Sequence, residues 1–264
     1  STTSTSAFYG FYSGSAPQTE TWTNNTIDGL TSSSTASNSV IGIYSNTATT
    51  GNKTCQNNIV KNISLPASGT GTAYGIRILY LGATNLISGN TVNTITGGTN
   101  IYGMLVGSNS AATTTSVYKN KIYGLSNSIN AATNVYGLVL GTQGASSNCN
   151  VYNNIIGDLT SSAANSTTDA VRGISITSAS LTSNINLFYN TVYITGAASS
   201  STDFATSALF HTHNGTSTTA SLTLKNNIFV NNYPSKGAGV SAAFKRSAAT
   251  NLLNYATACC SIIK

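Results

Sequence analysis

Carboxylate side chains, the usual acids and bases of glycan-cleaving enzymes, are scarce in this chain. Five occur in 264 residues, namely Glu20, Asp28, Asp158, Asp169 and Asp203. Glycoside hydrolysis needs two carboxylates about 5 to 10 Å apart. Only Asp158, Asp169 and Asp203, with Arg172, lie near enough along the chain to form a polar cluster for catalysis or calcium binding. Since residues 169 and 203 fall in variable polar loops, we predict no catalytic residues and keep this cluster as a weak alternative.

Two histidines provide the only pattern that resembles a metal site. His211 and His213 would lie on one face of a strand, as two ligands of a metal do. The sequence offers no third ligand beside them. We therefore predict no metal and no other cofactor, and a partly buried or edge histidine at position 211.

Aromatic side chains form a second group that could bind a ligand. Tyr118, Tyr152 and Phe188 are predicted to point outward, with Tyr123 and Tyr193 beside them. Stacked exposed rings can bind sugar rings or pack laterally against another molecule. The simpler interpretation is cross-strand stacking that stiffens a sheet. Polysaccharide is accordingly a candidate partner.

The composition limits the classes of partner. Charged residues make up only 6% of the chain, against about 25% in ordinary domains. The net charge of +6 reflects the shortage of acids, and the 11 basic residues are scattered rather than arranged in a stripe. We therefore expect no nucleic-acid partner. No apolar run approaches the roughly 20 residues of a membrane span, so we expect no membrane insertion.

An asparagine recurs along the chain every 30 to 37 residues. Each one is preceded at minus three and followed at plus two by an apolar residue, as in Trp22 and Ile27 around the first member. Recurrence at a fixed period indicates a repeat architecture. The members are Asn25, Asn58, Asn90, Asn120, Asn154, Asn190 and Asn227.

A second register, of glycines that each precede an apolar residue, runs in phase with the asparagines. Apolar residues then alternate with polar ones, which is typical of strands with one buried face. By the same parity, Tyr74, Tyr102 and Tyr136, just before their glycines, are predicted to lie in the core. The glycines are Gly10, Gly42, Gly75, Gly103, Gly137 and Gly173, continued by Ala208 and Ala242.

These registers predict a right-handed parallel β-helix, a three-sided all-β solenoid of about eight coils of 28 to 37 residues. Equivalent residues of successive coils would lie about 4.8 Å apart along the axis. The asparagines would then form an internal ladder of mutually hydrogen-bonded amides. Propeller blades are the main alternative, but the two-residue hairpin turns that they need are absent. We assign a single domain to 1–264, with regular coils over 8–246 and a last partial coil or end at 247–264.

The coil register also separates the reactive groups. Asp28 and Asp158 would stand four coils, roughly 19 Å, apart. Cys55 and Cys149 would be roughly 14 Å apart, beyond the reach of a disulfide, and Cys55 falls in an inward column. Cys259 and Cys260 are adjacent, and a vicinal bridge, a bond to another chain and free thiols all remain open.

Three segments carry a resemblance to a known group of proteins. The units NNIIGDLTSS…VRGISI, KNKIYGLSNS…VYGLVL and NNIFVNN…AAFKRS resemble the repeat region of large secreted bacterial surface proteins. That group has a pectate-lyase-like right-handed β-helix and is commonly exported by the type IX secretion system. The resemblance covers roughly residues 8 to 254 and implies an extracellular or cell-surface location. It carries over no catalytic residues, because no matching catalytic motif is present, and it says little about function, because this fold serves lyases, hydrolases, adhesins and fibres.

The ends of a solenoid expose unpaired strand edges, which proteins cover or pair. The function expected from the sequence is thus a non-enzymatic extracellular structural protein, a fibre subunit or adhesin stalk. Its partners would be further copies of itself, or more of the same chain, stacked along the axis. The alternatives are a carbohydrate-binding module that uses the exposed aromatics, and a polysaccharide lyase or hydrolase.

Overall fold

A computed structural model describes most of the chain. The described residues are 7–15, 18–47, 51–107, 112–141, 143–177, 182–212, 220–247, 255–257 and 262–263. Within them all regular structure is β-strand, and no helix occurs that is long and apolar enough to cross a membrane. Cys259, Cys260 and His213, to which sequence-based expectations attach, lie outside the described residues.

Twenty-five strands form three parallel sheets. Sheet 1 contains β1 (Phe8–Ser13), β4 (Ser39–Ser45), β7 (Thr72–Ile78), β10 (Asn100–Val106), β13 (Asn134–Leu140), β17 (Ser166–Ile176), β20 (Phe204–His211) and β23 (Ser241–Arg246). Sheet 2 contains β2 (Thr19–Thr23), β5 (Asn52–Gln56), β8 (Thr84–Ser88), β11 (Thr114–Tyr118), β14 (Asn148–Tyr152), β18 (Asn184–Phe188), β21 (Ser221–Lys225) and β24 (Tyr255–Thr257). Sheet 3 contains β3 (Thr26–Asp28), β6 (Ile59–Ser64), β9 (Thr91–Thr96), β12 (Lys121–Asn127), β15 (Ile155–Gly157), β16 (Leu159–Ser161), β19 (Thr191–Ile194), β22 (Ile228–Asn231) and β25 (Ile262–Ile263).

The chain visits sheets 1, 2 and 3 in turn, and each strand pairs with its equivalent one turn earlier and later. Six turns, from β4 to β22, are paired on both sides, and one further turn at each end is paired on one side. The predicted parallel β-helix is therefore confirmed. The number of complete turns is six, slightly fewer than the eight coils expected, because the first and the last turn of the described residues are each paired on one side only.

Apolar side chains fill the space that the three sheets enclose. On sheet 3, the residue two places after each ladder asparagine is buried in every inner turn, from Val60 to Phe229. The parallel pairing places these residues in one column. Sheet 2 contributes the column that contains Cys55 and Val151. Period-2 alternation thus gives the inward columns that the sequence predicts.

The glycine column marks where sheet 1 approaches sheet 3 too closely for a side chain. At Gly75, an added Cβ would lie 2.6 Å from the carbonyl oxygen of Gly103 and against the Val92 side chain of sheet 3. Gly42, Gly103, Gly137 and Gly173 meet the equivalent pair of obstacles in their own turns. Glycine is needed here for close approach rather than for an unusual φ, because none of these five has a positive φ.

Tyr74, Tyr102 and Tyr136 lie on the outer face of sheet 1, so their predicted position inside the solenoid was wrong, although Tyr136 is buried on that outer face. The residues before them, Ala73, Ile101 and Val135, belong to the core, and neighbouring residues of a strand face opposite sides. The error arises at the glycine, where a Cβ would point at the core and the next residue is also buried in it. Because two successive residues point inward at this position, the alternation of inward and outward side chains before the glycine is shifted by one residue relative to that after it.

Candidate functional site

Asparagine side chains at the corner between sheets 2 and 3 form a continuous ladder. The Nδ2 of each asparagine donates to the Oδ1 of the asparagine one turn later, at 2.9 to 3.0 Å, in six consecutive steps. The ladder runs through Asn25, Asn58, Asn90, Asn120, Asn154, Asn190 and Asn227, and all except the half-buried Asn25 are at most 1% exposed. The internal ladder predicted from the sequence is confirmed.

One rung shows how completely the buried amide is satisfied. Asn120 donates from Nδ2 to Asn154 Oδ1 and to the Ile87 carbonyl oxygen, both at 3.0 Å. Its own Oδ1 accepts from the Nδ2 and the backbone N–H of Asn90, at 2.9 and 3.0 Å. Both donor hydrogens and both acceptor lone pairs are therefore used. The ladder is a structural element with no group left for a ligand at this rung.

The residue immediately before each ladder asparagine adopts a left-handed backbone. Its φ is between 54° and 66° in all seven turns, and the residues are Asn24, Asn57, Gly89, Lys119, Asn153, Tyr189 and Asn226. This conformation makes the sharp corner that turns the next side chain inward. Asn or Gly at five of these seven positions is the sequence signal for this corner, because both residue types tolerate a left-handed backbone.

The outer face of sheet 1 carries the most elaborate group of polar and aromatic side chains. Tyr74 and Tyr102 stack from one turn to the next, with centroids 4.9 Å apart, and Tyr9 and Tyr12 stack within β1, with centroids 4.7 Å apart. We call this surface the tyrosine face; it comprises Tyr9, Tyr12, Tyr44, Tyr74, Tyr102 and Tyr136 with Arg77 and Arg172. Burial raises the pKa of Tyr44, Tyr74 and Tyr102, so these hydroxyls stay protonated in neutral solution.

Arg172 on this face is neutralised by a buried carboxylate. Its Cζ lies 4.7 Å from the Tyr136 ring centroid and 3.4 Å from that of Phe210, and its Nε lies 3.4 Å from Asp169 Oδ2. Asp169, 1% exposed, also accepts from Ser207 Oγ at 2.7 Å and from Lys245 Nζ at 2.6 Å. Asp169 and Arg172 thus do come together, and Lys245, which sequence reasoning missed, joins them across two turns.

The other two members of the predicted polar cluster lie elsewhere. Asp158 occupies a left-handed corner of sheet 3 with a φ of 50°, in line with Asn62, Thr94 and Gly124. Asp203 lies in the turn before β20, where its Oδ1 accepts from the backbone N–H of Ala238 at 2.7 Å. Each has a local conformational role, because Asp tolerates left-handed backbone and its carboxylate can fix a turn. The arrangement does not assemble the four residues into one site.

A buried ion pair inside the first two turns escaped sequence reasoning. Lys53 Nζ lies 3.0 Å from Glu20 Oε2, and the side chains are 1% and 4% exposed. Ser13 and Ser45 donate to the two carboxylate oxygens, and Lys53 also donates to Thr47. Burial opposes the charge, but these hydrogen bonds and the Lys53 charge leave the pKa of Glu20 below its ordinary value. The signal was available, because each residue stands two places before an inward residue of sheet 2, Trp22 or Cys55.

The outward aromatics predicted as glycan contacts divide into two groups. Tyr118 and Tyr152 stack with centroids 4.7 Å apart and planes only 3° apart, and Phe188 follows in the same column. Parallel rings in a stack cover each other's faces, which favours the sheet-stiffening interpretation for this column. Tyr123 and Tyr193, on sheet 3, remain 45% and 46% exposed.

The other histidine and cysteine side chains that the structure describes are buried. His211 lies in an inward column of sheet 1 and is 8% exposed. Cys55 and Cys149 are unpaired thiols with no exposed surface, and burial raises the pKa of each to about 12. Within the described ranges no three His, Cys, Asp or Glu side chains are grouped as metal ligands would be.

Comparison of the chain with known protein families, with curated proteins and with solved structures found no match.

Proposed function

We propose that this chain is a non-enzymatic structural rod, a fibre subunit or the stalk of a surface adhesin. The observation that carries the proposal is the unbroken ladder from Asn25 to Asn227, which joins seven turns through hydrogen-bonded amides that are buried in every turn after the first. Such a ladder stiffens the long axis, while the described carboxylates are taken up by ion pairs and turns rather than gathered into a reactive site.

The edge turn at β1 supports axial stacking as the mode of assembly. Phe11 stands in the core column of sheet 1 but is 39% exposed, whereas Ile43, one turn further in, has no exposed surface. Phe8 is 47% exposed on the same strand. Among the described strands, β1, β2 and β3 are each paired on one side. A further turn, from another copy or from more of the same chain, would cover these rings and pair the free edges.

We place the rod outside the cell, among secreted surface proteins of the type that the type IX system exports. The support is the repeat resemblance, the low charge content and the state of the thiols. Because Cys55 and Cys149 are fully buried and their pKa values are raised, an oxidising environment would leave them unreacted. Labelling of intact cells with an antibody against the rod tests the location, and a signal only after lysis contradicts it.

Light scattering and electron microscopy of the purified chain test the assembly. We expect concentration-dependent association into linear particles whose width does not grow. Phe11→Lys should shorten or abolish these particles, because a charge would be buried at the axial contact. Tyr123→Lys, which adds the same charge to the side of the rod, is the matched control and should assemble normally. A monodisperse monomer at high concentration, or equal effects of the two variants, would refute axial stacking.

A further inference from the structure

The tyrosine face contains two arginines that each contact two aromatic rings, but only one of them pairs with a carboxylate. Arg172 lies between the rings of Tyr136 and Phe210, and its charge is met by Asp169. Arg77, three turns earlier, lies between the rings of Tyr44 and Tyr74, with its Cζ 4.8 Å from each ring centroid. The rod thus shows at Arg172 how an arginine on this face takes a carboxylate.

Arg77 has no such carboxylate among the described residues. All five acidic side chains lie in the described residues, and none of them forms an ion pair with Arg77. The Nε of Arg77 is buried without a hydrogen-bond acceptor among the described residues, as is that of Arg172, so the difference between the two arginines is the nearby carboxylate, and an incoming oxyanion would pair with the terminal amino groups. A guanidinium held between two rings, lacking an anion, is a site for an external oxyanion, since its planar fork matches a carboxylate.

We propose that Arg77 binds the carboxylate of an acidic polysaccharide that lies along the tyrosine face. The neighbouring rings, such as Tyr74 and Tyr102, are stacked on one another, so the ligand meets ring edges and phenolic hydroxyls. These hydroxyls donate to sugar hydroxyls and ring oxygens. Further along the face, Arg172 and Lys245 share the single carboxylate of Asp169, which leaves a second excess of positive charge for the same polymer.

A nucleic acid fits this surface less well than an acidic glycan. Nucleic acids carry a phosphate at every nucleotide and need a row of cations, whereas here the cationic positions lie three turns apart. Single strands also bind by stacking bases on open ring faces. Tyr74 and Tyr102 cover one face of each other's ring, and Arg77 lies over the ring of Tyr74 as well. A polymer with sparse carboxylates and many hydroxyls matches both features.

Calorimetric titration of the intact chain tests the assignment. The probes are a hexuronate oligomer, a neutral hexose oligomer of equal length, a sulfated oligomer and a single-stranded oligonucleotide. We expect the hexuronate oligomer to bind at least about tenfold more tightly than the neutral oligomer, which offers the fork no anion. It should also bind more tightly than the sulfated oligomer and the oligonucleotide, whose dense charges need a row of cations that this face lacks. Arg77→Gln should weaken hexuronate binding about tenfold or more, and Arg77→Lys should weaken it severalfold because it keeps the charge but loses the fork.

Lys121→Gln is the matched control, because it removes one positive charge from an exposed position on sheet 3. It should change binding less than about twofold, as a long-range charge effect would. If Arg77→Gln does not fold, as judged by circular dichroism, Arg77→Lys decides the question. The proposal would be overturned if the chain did not bind the hexuronate oligomer, or bound the neutral oligomer equally well. It would also be overturned if both Arg77 variants bound the hexuronate oligomer as tightly as the native chain, or if the sulfated oligomer or the oligonucleotide bound more tightly than the hexuronate oligomer. None of these outcomes depends on whether the rods associate.

Discussion

Asn120 shows how a single side chain is made indispensable by its neighbours on both sides. Its amide uses four hydrogen bonds, to Asn90, Asn154 and the Ile87 carbonyl oxygen. We expect Asn120→Ala to lower the free energy of unfolding by about 1 to 3 kcal/mol, because buried donors and acceptors on adjacent turns lose their partners. Chemical denaturation measures the change.

Asn130→Ala serves as the control for this substitution. Asn130 is exposed, and its side chain accepts a bond from Ser201. Its removal should change stability by less than about 0.5 kcal/mol, as is usual at surface positions. Equal effects at positions 120 and 130 would mean that the ladder does not stabilise the fold.

Lys119 is a non-glycine residue held in a left-handed conformation, with a φ of 55°. A residue with a Cβ adopts that conformation at a cost of about 1 to 2 kcal/mol, and glycine avoids this cost. Glycine in turn loses more backbone entropy on folding, which offsets part of the gain. We expect Lys119→Gly to raise the free energy of unfolding by roughly 0.5 to 1 kcal/mol. Lys121→Gly, two residues later within β12, should lower it by a similar amount. Thermal denaturation of the two variants should therefore shift in opposite directions.

Glu20 and Lys53 stabilise the first two turns only as a pair. Lys53→Met leaves a buried carboxylate without its cation and should lower stability by about 3 to 5 kcal/mol, whereas Glu20→Leu with Lys53→Met should recover most of the loss. The pKa of Glu20 is lowered by folding, so its contribution is present above the ordinary value of 4.5 and is lost as the pH falls below it. Acid titration of unfolding should show this loss in the native chain and not in the double variant.

Gly75 shows what the packing of two sheets requires, because sheets 1 and 3 approach each other closely at this residue. An alanine Cβ there would clash with the Gly103 carbonyl oxygen and the Val92 side chain. We expect Gly75→Ala to lower stability by about 1 to 3 kcal/mol, the usual cost of overpacking a core. At Gly107 a Cβ would meet its nearest neighbour at an ordinary 3.5 Å. Gly107→Ala should therefore be nearly neutral, and a similar loss at both sites in denaturant melts would contradict this explanation of the glycine column.

At the level of elements, the sequence predicts the positions that recur in every turn. It does not predict positions where the alternation is interrupted, or contacts between residues of different turns. The apolar columns of sheets 2 and 3 follow from fixed offsets to each asparagine, as at Cys55 and Val60. The outward position of Tyr74 does not follow, because the adjoining glycine interrupts the alternation. The contact of Lys245 with Asp169 could not be predicted, because it joins residues 76 positions apart across two turns and no periodic signal marks it.

Considered as a whole, the rod distributes its few acids away from one another. Asp28 pairs with Lys61 at 3.1 Å, Asp169 with Lys245 and Arg172, and Asp158 lies at a corner of sheet 3. We expect no cleavage of uronate-containing or neutral glycans, with or without calcium, when reducing ends or unsaturated products are measured. Measurable cleavage that Asp158→Asn or Asp203→Asn abolishes would establish the enzymatic alternative.

The direction of the hydrogen bonds relative to the rod has a mechanical consequence. The strands run across the axis of the rod, and the backbone hydrogen bonds between them point along it. A force that pulls the two ends apart would therefore break the hydrogen bonds of one turn at a time instead of shearing many together. Each released turn of 30 to 37 residues would lengthen the chain from about 4.8 Å to roughly 110 Å. Under tension the molecule would unfold one turn at a time and dissipate mechanical energy, while the turns that remain folded keep their structure.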